Sequence, residues 1–178
     1  MSVKSDLSVE ALRRLVRDVP DFPKPGITFK DITPLVGDAS GLASAVAHLA
    51  AAVPPGVTDV VAIESRGFLF GAALALELGL PVVPVRKPGK LPHQKRRVEY
   101  ALEYGTDALE MHADALAGGR QVLIVDDVLA TGGTAAATAR LVREAGATVA
   151  GFSFVIELEF LGGRARLQGA PVTSVLRY

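Results

Sequence analysis

An α/β fold, with a twisted and mainly parallel sheet flanked by helices, is what this sequence predicts, and three observations carry the prediction. Two short apolar runs, DVVAIE (59–64) and QVLIVDD (121–127), are rich in β-branched residues and free of charge between their ends, as strands buried on both faces are. Each leads through a small-residue turn into a helical stretch, residues 68–78 and about 135–145. Further strand-like runs alternate with these helices, the pattern of a parallel sheet joined by crossovers.

Taken in order, Val9, Leu12, Leu15 and Val16 recur at helical spacing behind Ser8, a suitable cap, so residues 9–17 read as a short helix. Pro20, Pro23, Pro25 and Gly26 then exclude regular structure and leave a stiff, shaped loop. GLASAVAHLAAA (41–52) reads as a second helix, closed by PPG. Beyond strand 59–64 and helix 68–78, PVVPVR (81–86) is another strand that ends in a cation. Residues 87–106 are polar and charged, with Lys95, Arg96 and Arg97 near the middle. A stretch of that length without a strong pattern indicates a functional lid or a β-ribbon. Strand 121–127 is followed by VLATGGT and a helix, and TVAGFSFVIEL (148–158) and PVTSVL (171–176) supply two more strands. No internal repeat or low-complexity segment interrupts this order, and 178 residues is the length of one domain.

Composition removes several classes of function. Lys plus Arg (19) balance Asp plus Glu (19), so no overall field draws the chain to nucleic acid or an anionic membrane. An anionic ligand must instead be held by local cations and backbone amides. The absence of cysteine excludes disulfides and thiolate-bound zinc. His48, His93 and His112 are far apart and match no ligand spacing, so a protein-built metal site is not expected. No GxSxG pattern marks a nucleophilic serine. MSVKSDLSVEALRRLVRDVP lacks an apolar stretch of signal-peptide length, and no run reaches transmembrane length, so the cytoplasm is the expected compartment.

The chemistry concentrates in VLIVDDVLATGGT (122–134). An apolar strand ends in two adjacent acids, Asp126 and Asp127, and a small-residue turn then feeds a helix N-terminus. Ligands of open α/β sheets bind beyond the carboxyl ends of the strands, so a site belongs here. Ala130, Thr131, Gly132, Gly133 and Thr134 suit a phosphate. Glycines let the backbone approach, helix N-terminal amides point at the anion, and the two threonines add hydroxyl donors. The segment is neither GxxxxGK[ST] nor GxGxxG. Carboxylates repel phosphate but accept hydrogen bonds from sugar hydroxyls, so a ribose phosphate suits both halves of the segment.

VLIVDDVLATGGT resembles the motif with which type I phosphoribosyltransferases bind 5-phosphoribosyl-1-pyrophosphate (PRPP). DFPKPGITFKDITPL (21–35), ESRGFLFG (64–71), RKPGKLP (86–92) and LEYG (102–105) are similar, in order and spacing, to segments of the adenine phosphoribosyltransferases. The resemblance therefore runs from about residue 20 to the C-terminus. It implies the type I phosphoribosyltransferase fold, with about residues 1–35 forming a small hood over the base. It implies transfer of the 5-phosphoribosyl group of PRPP to adenine, giving AMP and pyrophosphate. It also implies a homodimer, and Mg²⁺ bound mainly through PRPP and water.

By position, the resemblance gives Asp126 and Asp127 the ribose 2′- and 3′-hydroxyls and Ala130 to Thr134 the 5′-phosphate. ESRG corresponds to a pyrophosphate loop in which backbone amides, Ser65 and Arg66 face the leaving group. An unusual backbone, with a non-proline cis peptide in related enzymes, is implied within Glu64–Ser65–Arg66. Arg86, Lys87 and Lys90 are matched to further pyrophosphate contacts. Glu103 is the matched candidate for the base that removes the N9 proton of adenine, directly or through water, with Tyr104 beside it helping to close the site. Closure of residues 91–104 would exclude the water that traps an oxocarbenium-like transition state. Phe29 and Leu158 match the residues that sandwich adenine, while backbone groups at Thr28 and Lys30 flank the purine edge. HQKRRVEYA (93–101) is more basic than the family's loop, so PRPP, a partner subunit and solvent all stay open as its contacts. Two alternatives to adenine transfer also stay open. One is a phosphoribosyltransferase for hypoxanthine, guanine or xanthine. The other is a PRPP-sensing regulator, which zero net charge and only about 20 residues ahead of FPKPG weigh against.

Overall fold

The computed structural model describes residues 6–101 and 105–178, in two compact units divided between His48 and Leu49. The first unit contains α1 (Val9–Arg14), β1 (Arg17–Pro20), β2 (Thr28–Asp31), α2 (Thr33–Gly37) and most of α3 (Ala39–Ala51). Ser8 caps α1 by accepting from the Ala11 N–H at 3.2 Å. The helix stops at Arg14 rather than residue 17, because Arg17–Pro20 find a backbone partner elsewhere in the sequence. They pair antiparallel with Thr28–Asp31, from Arg17 opposite Asp31 to Pro20 opposite Thr28. The proline-rich stretch expected as a loop is thus the turn of a hairpin. Asp21, at φ 57°, accepts from the Gly26 N–H at 2.7 Å across that turn.

The second unit contains β3 (Asp59–Ile63), α4 (Gly67–Leu78), β4 (Val82–Val85), β5 (Lys95–Ala101), β6 (Thr106–His112), β7 (Gln121–Leu129), α5 (Gly133–Glu144), β8 (Thr148–Glu157) and β9 (Val172–Arg177). Short 3₁₀ turns at Glu159–Leu161 and Gly163–Arg166 precede the last strand. Five strands form one sheet in the order β4-β3-β7-β8-β9, and every neighbouring pair is parallel. The strands expected from the apolar runs are all there, within a residue or two at each end. Of the two readings for residues 87–106, the ribbon is the observed one: β5 pairs antiparallel with β6, from Lys95 opposite His112 to Ala101 opposite Thr106.

Strand alternation assigns the two faces of the sheet. Val61, Ile63, Val122 and Ile124 join Leu141 and Val142 of α5 in the main core. Each such buried side chain stabilises the fold by about 1.5–3 kcal/mol. The opposite face, at Ala62 and Val125, meets α4 through glycine. A Cβ on Gly71 would stand 2.5 Å from Ala62 Cβ, so the helix lies directly on the strand only because Gly71 has none. Among the described residues, no helix is long and apolar enough to cross a membrane.

Where β8 ends, the buried Glu157 carboxylate grips Arg164 with both oxygens, Nε to Oε1 at 2.8 Å and Nη2 to Oε2 at 2.5 Å. Ser174 Oγ donates to the same carboxylate at 2.7 Å, and Arg164 donates to the Val172 carbonyl at 2.7 Å. The clamp ties β8, β9 and the second 3₁₀ turn together. The Arg164 hydrogen bond, opposed by burial and helped by Ser174, holds the Glu157 carboxyl below its ordinary range. A depressed carboxyl contributes its full stability above the unfolded value of about 4.5 and loses it as pH falls through the folded value. Glu157→Gln should therefore cost about 1–3 kcal/mol at neutral pH, with the gap to the parent narrowing as pH falls below about 4.5. Urea unfolding of both proteins across that range measures it; a gap independent of pH would assign the loss to packing alone.

Candidate active site

The C-terminal end of β7 carries Asp126, Asp127 and then the turn into α5. That turn opens a pocket of about 70 Å³, lined by residues 128–135 together with Asp126 and Phe154. Gly132 caps α5 in the left-handed region, at φ 78°, a conformation that L side chains rarely adopt. Its α-carbon also faces Gly163 so closely that a Cβ would overlap the Gly163 carbonyl. Gly163 in turn packs on Ala130, Thr131 and Gly132 with no room for a side chain. The turn Ala130–Thr134 is therefore shaped by backbone on both sides, and a helix N-terminus of this kind suits an anion.

The acid pair is held asymmetrically. Asp127 is buried, and its N–H donates to Asp126 Oδ1 at 2.9 Å. Burial, with the Asp127 charge beside it, pushes the Asp126 carboxyl well above the ordinary range, while Arg66 works against that rise. Arg66 Nε lies 2.7 Å from Asp127 Oδ2, an ion pair without hydrogen-bond alignment, so this oxygen keeps acceptor capacity for a hydroxyl. Gly67, next in the chain, fits under Asp126: a Cβ there would be 2.6 Å from Oδ1.

Arg66 belongs to the turn between β3 and α4, where the Glu64–Ser65 peptide is cis, as the resemblance implies. Glu64 gathers two of the expected cations. Arg86 Nε donates to its Oε2 at 2.9 Å and Lys90 Nζ to its Oε1 at 2.6 Å. Burial works to raise the Glu64 carboxyl, but hydrogen bonds from Lys90, the Lys87 backbone and Arg86 outweigh it and hold the group below its ordinary range. Lys87 takes another direction, pairing with Asp107 and donating to Tyr100 Oη at 3.2 Å. Tyr100 Oη is itself 3.4 Å from Thr134 Oγ1, so the ribbon β5–β6 reaches the phosphate turn. Glu64, Tyr100 and Asp107 are absent from the sequence-based set. Glu64 had a signal, its place in ESRG; Tyr100 and Asp107 had none.

The model of the phosphoribosyl transferase domain family matches residues 39–166. A curated adenine phosphoribosyltransferase of Synechococcus is 60% identical over 167 residues, covering 93% of this chain and 95% of its own. That of Nitrosococcus oceani is 54% identical over 171 residues, covering 96% and 100%. The chain belongs to the adenine phosphoribosyltransferases. Solved members of the family share its fold: the Thermoanaerobacter pseudethanolicus adenine phosphoribosyltransferase superposes with a TM-score of 0.93 at 49% identity, covering 96% of this chain and 100% of its own. The Saccharomyces cerevisiae enzyme, crystallised with an imino-altritol bisphosphate and adenine, has a TM-score of 0.88 at 41% identity and covers 94% and 97%.

Within this adenine phosphoribosyltransferase, the second unit brings together Ser65, Arg66, Arg86, Lys87, Lys90, Asp126, Asp127 and the turn Ala130–Thr134 at one end of the sheet. Thr28, Phe29 and Lys30 lie on β2 of the first unit, where Phe29 packs edge-on against Phe22, 5.2 Å between centroids, and Lys30 Nζ pairs with Asp18 at 2.6 Å. Leu158 follows β8 and donates its N–H to Leu129 at 2.9 Å. Glu103 and Tyr104 lie outside the described residues. Because both the positive φ and the Gly163 carbonyl forbid a Cβ at Gly132, Gly132→Ala should weaken binding of ribose 5-phosphate by about tenfold or more. Calorimetric titration measures this; unchanged affinity would place the phosphate elsewhere.

Proposed function

We propose that the chain transfers the 5-phosphoribosyl group of PRPP to adenine, producing AMP and pyrophosphate in purine salvage. The observation that carries this is the junction of an acid pair with a phosphate turn on one strand end, ringed by cations from two other loops. Residues 130–134 hold the 5′-phosphate, and Asp126 and Asp127 accept from the ribose diol. Arg66, Arg86, Lys87 and Lys90 meet the pyrophosphate, whose charge grows as the C1′–O bond breaks. Phe29 and Leu158 stack on adenine, with backbone at 28–30 reading its edge, and Glu103 takes the N9 proton. Support for the base comes from relatives: the yeast enzyme was solved with adenine and the Giardia lamblia enzyme with 9-deazaadenine.

Mg²⁺, carried mainly by PRPP and water, would screen the departing pyrophosphate. The residues present fit that arrangement, since Asp127 Oδ2, buried and without an aligned donor, suits a ribose hydroxyl or a water of the ion. The same reading makes the protein a cytoplasmic homodimer with small-molecule substrates and no nucleic-acid or membrane partner.

Pyrophosphate release from PRPP with adenine, hypoxanthine, guanine and xanthine in turn, with and without Mg²⁺, tests the proposal. Adenine should dominate, and a preference for any other base would redirect the assignment to a different purine. Asp126→Asn and Asp127→Asn should each lower kcat/KM for PRPP about tenfold, the first through loss of a carboxyl oxygen facing the ribose diol and the second through loss of a charge-assisted hydrogen bond. Arg66→Ala should lower it by a similar factor or more while weakening AMP binding much less, since AMP has no pyrophosphate. Because Arg66 and Asp127 face each other, the double variant should lose less than the product of the single losses. Equal damage to PRPP turnover and AMP binding would make Arg66 a structural residue only.

A further inference from the structure

Towards the C-terminal end of α5, beyond the phosphate turn, lies a second concavity of about 290 Å³. Arg140, Arg143 and Arg166 line it, with the core side chains Phe152 and Leu167 almost wholly buried beneath its floor. Around the other end of the sheet the cations are matched: Arg66, Arg86, Lys87 and Lys90 each face a carboxylate, and Arg164 is clamped by Glu157. The groove differs. Its ion pair is a loose one, Arg140 to Glu144 at 3.9 Å along the helix surface, a kind of contact worth little. Arg140 and Arg143 otherwise donate to the carbonyls of Glu99 and Gln168, both at 3.3 Å, which satisfies N–H groups without cancelling charge. Arg166 has no hydrogen bond or ion pair among the described residues.

Three guanidinium groups around one groove repel one another unless an anion joins them. In a chain with 19 basic and 19 acidic residues, such a cluster does not follow from composition. Planar guanidinium forks match phosphate oxygens two at a time, so three of them call for more than one phosphate. We propose that this groove is a second binding site, separate from the pocket at the start of α5, for a ligand that carries two or more linked phosphates, such as a nucleoside di- or triphosphate.

The location adds a consequence. The helix α5 starts in the phosphate turn and carries Arg140 and Arg143 further along; the 3₁₀ turn Gly163–Arg166 starts against that same phosphate turn and ends on Arg166. A ligand in the groove braces the two elements that shape the phosphate pocket.

Heteronuclear NMR titration of the full chain with ATP tests the proposal and separates the two sites by position. ATP should shift amides at 140–143 and 166–168 as a set with its own saturation curve, distinct from any shifts at 126–134. Inorganic phosphate should move the groove set only weakly, and adenosine should leave it still. Arg143→Ala with Arg166→Ala should weaken the groove response about tenfold or more and leave the 126–134 response in place. Arg166→Glu, one exposed change, should do the same by charge reversal if the pair of alanines harms folding. A groove set that ATP does not move, that adenosine moves equally, or that ignores these substitutions overturns the proposal.

Discussion

Gly67 lies against Asp126, and Gly132 against Gly163, with too little space at either contact for a single β-carbon. Much of the site depends on these two approaches. The first lets the β3–α4 turn reach the acid pair, so that Arg66 comes to 2.7 Å from Asp127. The second fixes the curvature of the phosphate turn by pressing it against the backbone that follows β8. Backbone-on-backbone contact is stiff because no rotamer can absorb a displacement, and a stiff turn presents its amides to a phosphate without reorganising. Gly71 extends the same device down α4, where the helix rests on Ala62 with no intervening side chain.

Charge in the site is arranged before any ligand arrives. Arg86 and Lys90 share the Glu64 carboxylate, Lys87 faces Asp107, and Arg66 faces Asp127. Bare cations gathered to meet a polyanion would repel one another, and pairing each with an acid removes that cost. The pairing also means that any anion drawn to these cations must compete with carboxylates for the same N–H donors. A polyanion with several charged oxygens can win that exchange, whereas a single neutral hydroxyl cannot. Within the site, as over the whole chain with its 19 basic and 19 acidic residues, cations and acids are close to balance.

The elements legible in the sequence are those whose signal is local. The strands β3 and β7 announce themselves as unbroken β-branched runs because both of their faces are buried, and the acid pair and phosphate turn are contiguous. The hairpin β1–β2 left no such trace: four polar or half-exposed residues pair with four others across a proline-rich turn, and α1 seemed to run through the first of them. The residues Asp107 and Tyr100 were illegible for a related reason. They meet Lys87 and Thr134 only because β5 and β6 fold into a ribbon, and the pairing register of that ribbon is not written in alternation of apolar residues. The Gly163 contact is likewise non-local, since nothing in GGR distinguishes a glycine that braces a phosphate turn from one that merely bends the chain.

Why segments so far apart in sequence meet at one end of the sheet follows from strand direction. In a parallel sheet every strand ends at the same edge, and here Ile63 is level with Val85, Ala62 with Val125, and Leu129 with Glu157. The segments that follow these residues, ESRG after β3, the cationic stretch after β4, the phosphate turn after β7 and Leu158 after β8, therefore emerge side by side. At nine residues against five, β7 runs past the end of β3 and carries Asp126 and Asp127 beyond it, which sets the acids between the turn that holds Arg66 and the turn that caps α5. An antiparallel sheet of the same strands would send alternate loops to opposite edges and part the cations from the acids. The requirement for a phosphate turn, an acid pair and two cationic loops at one place is thus met by topology first, and by individual side chains only afterwards.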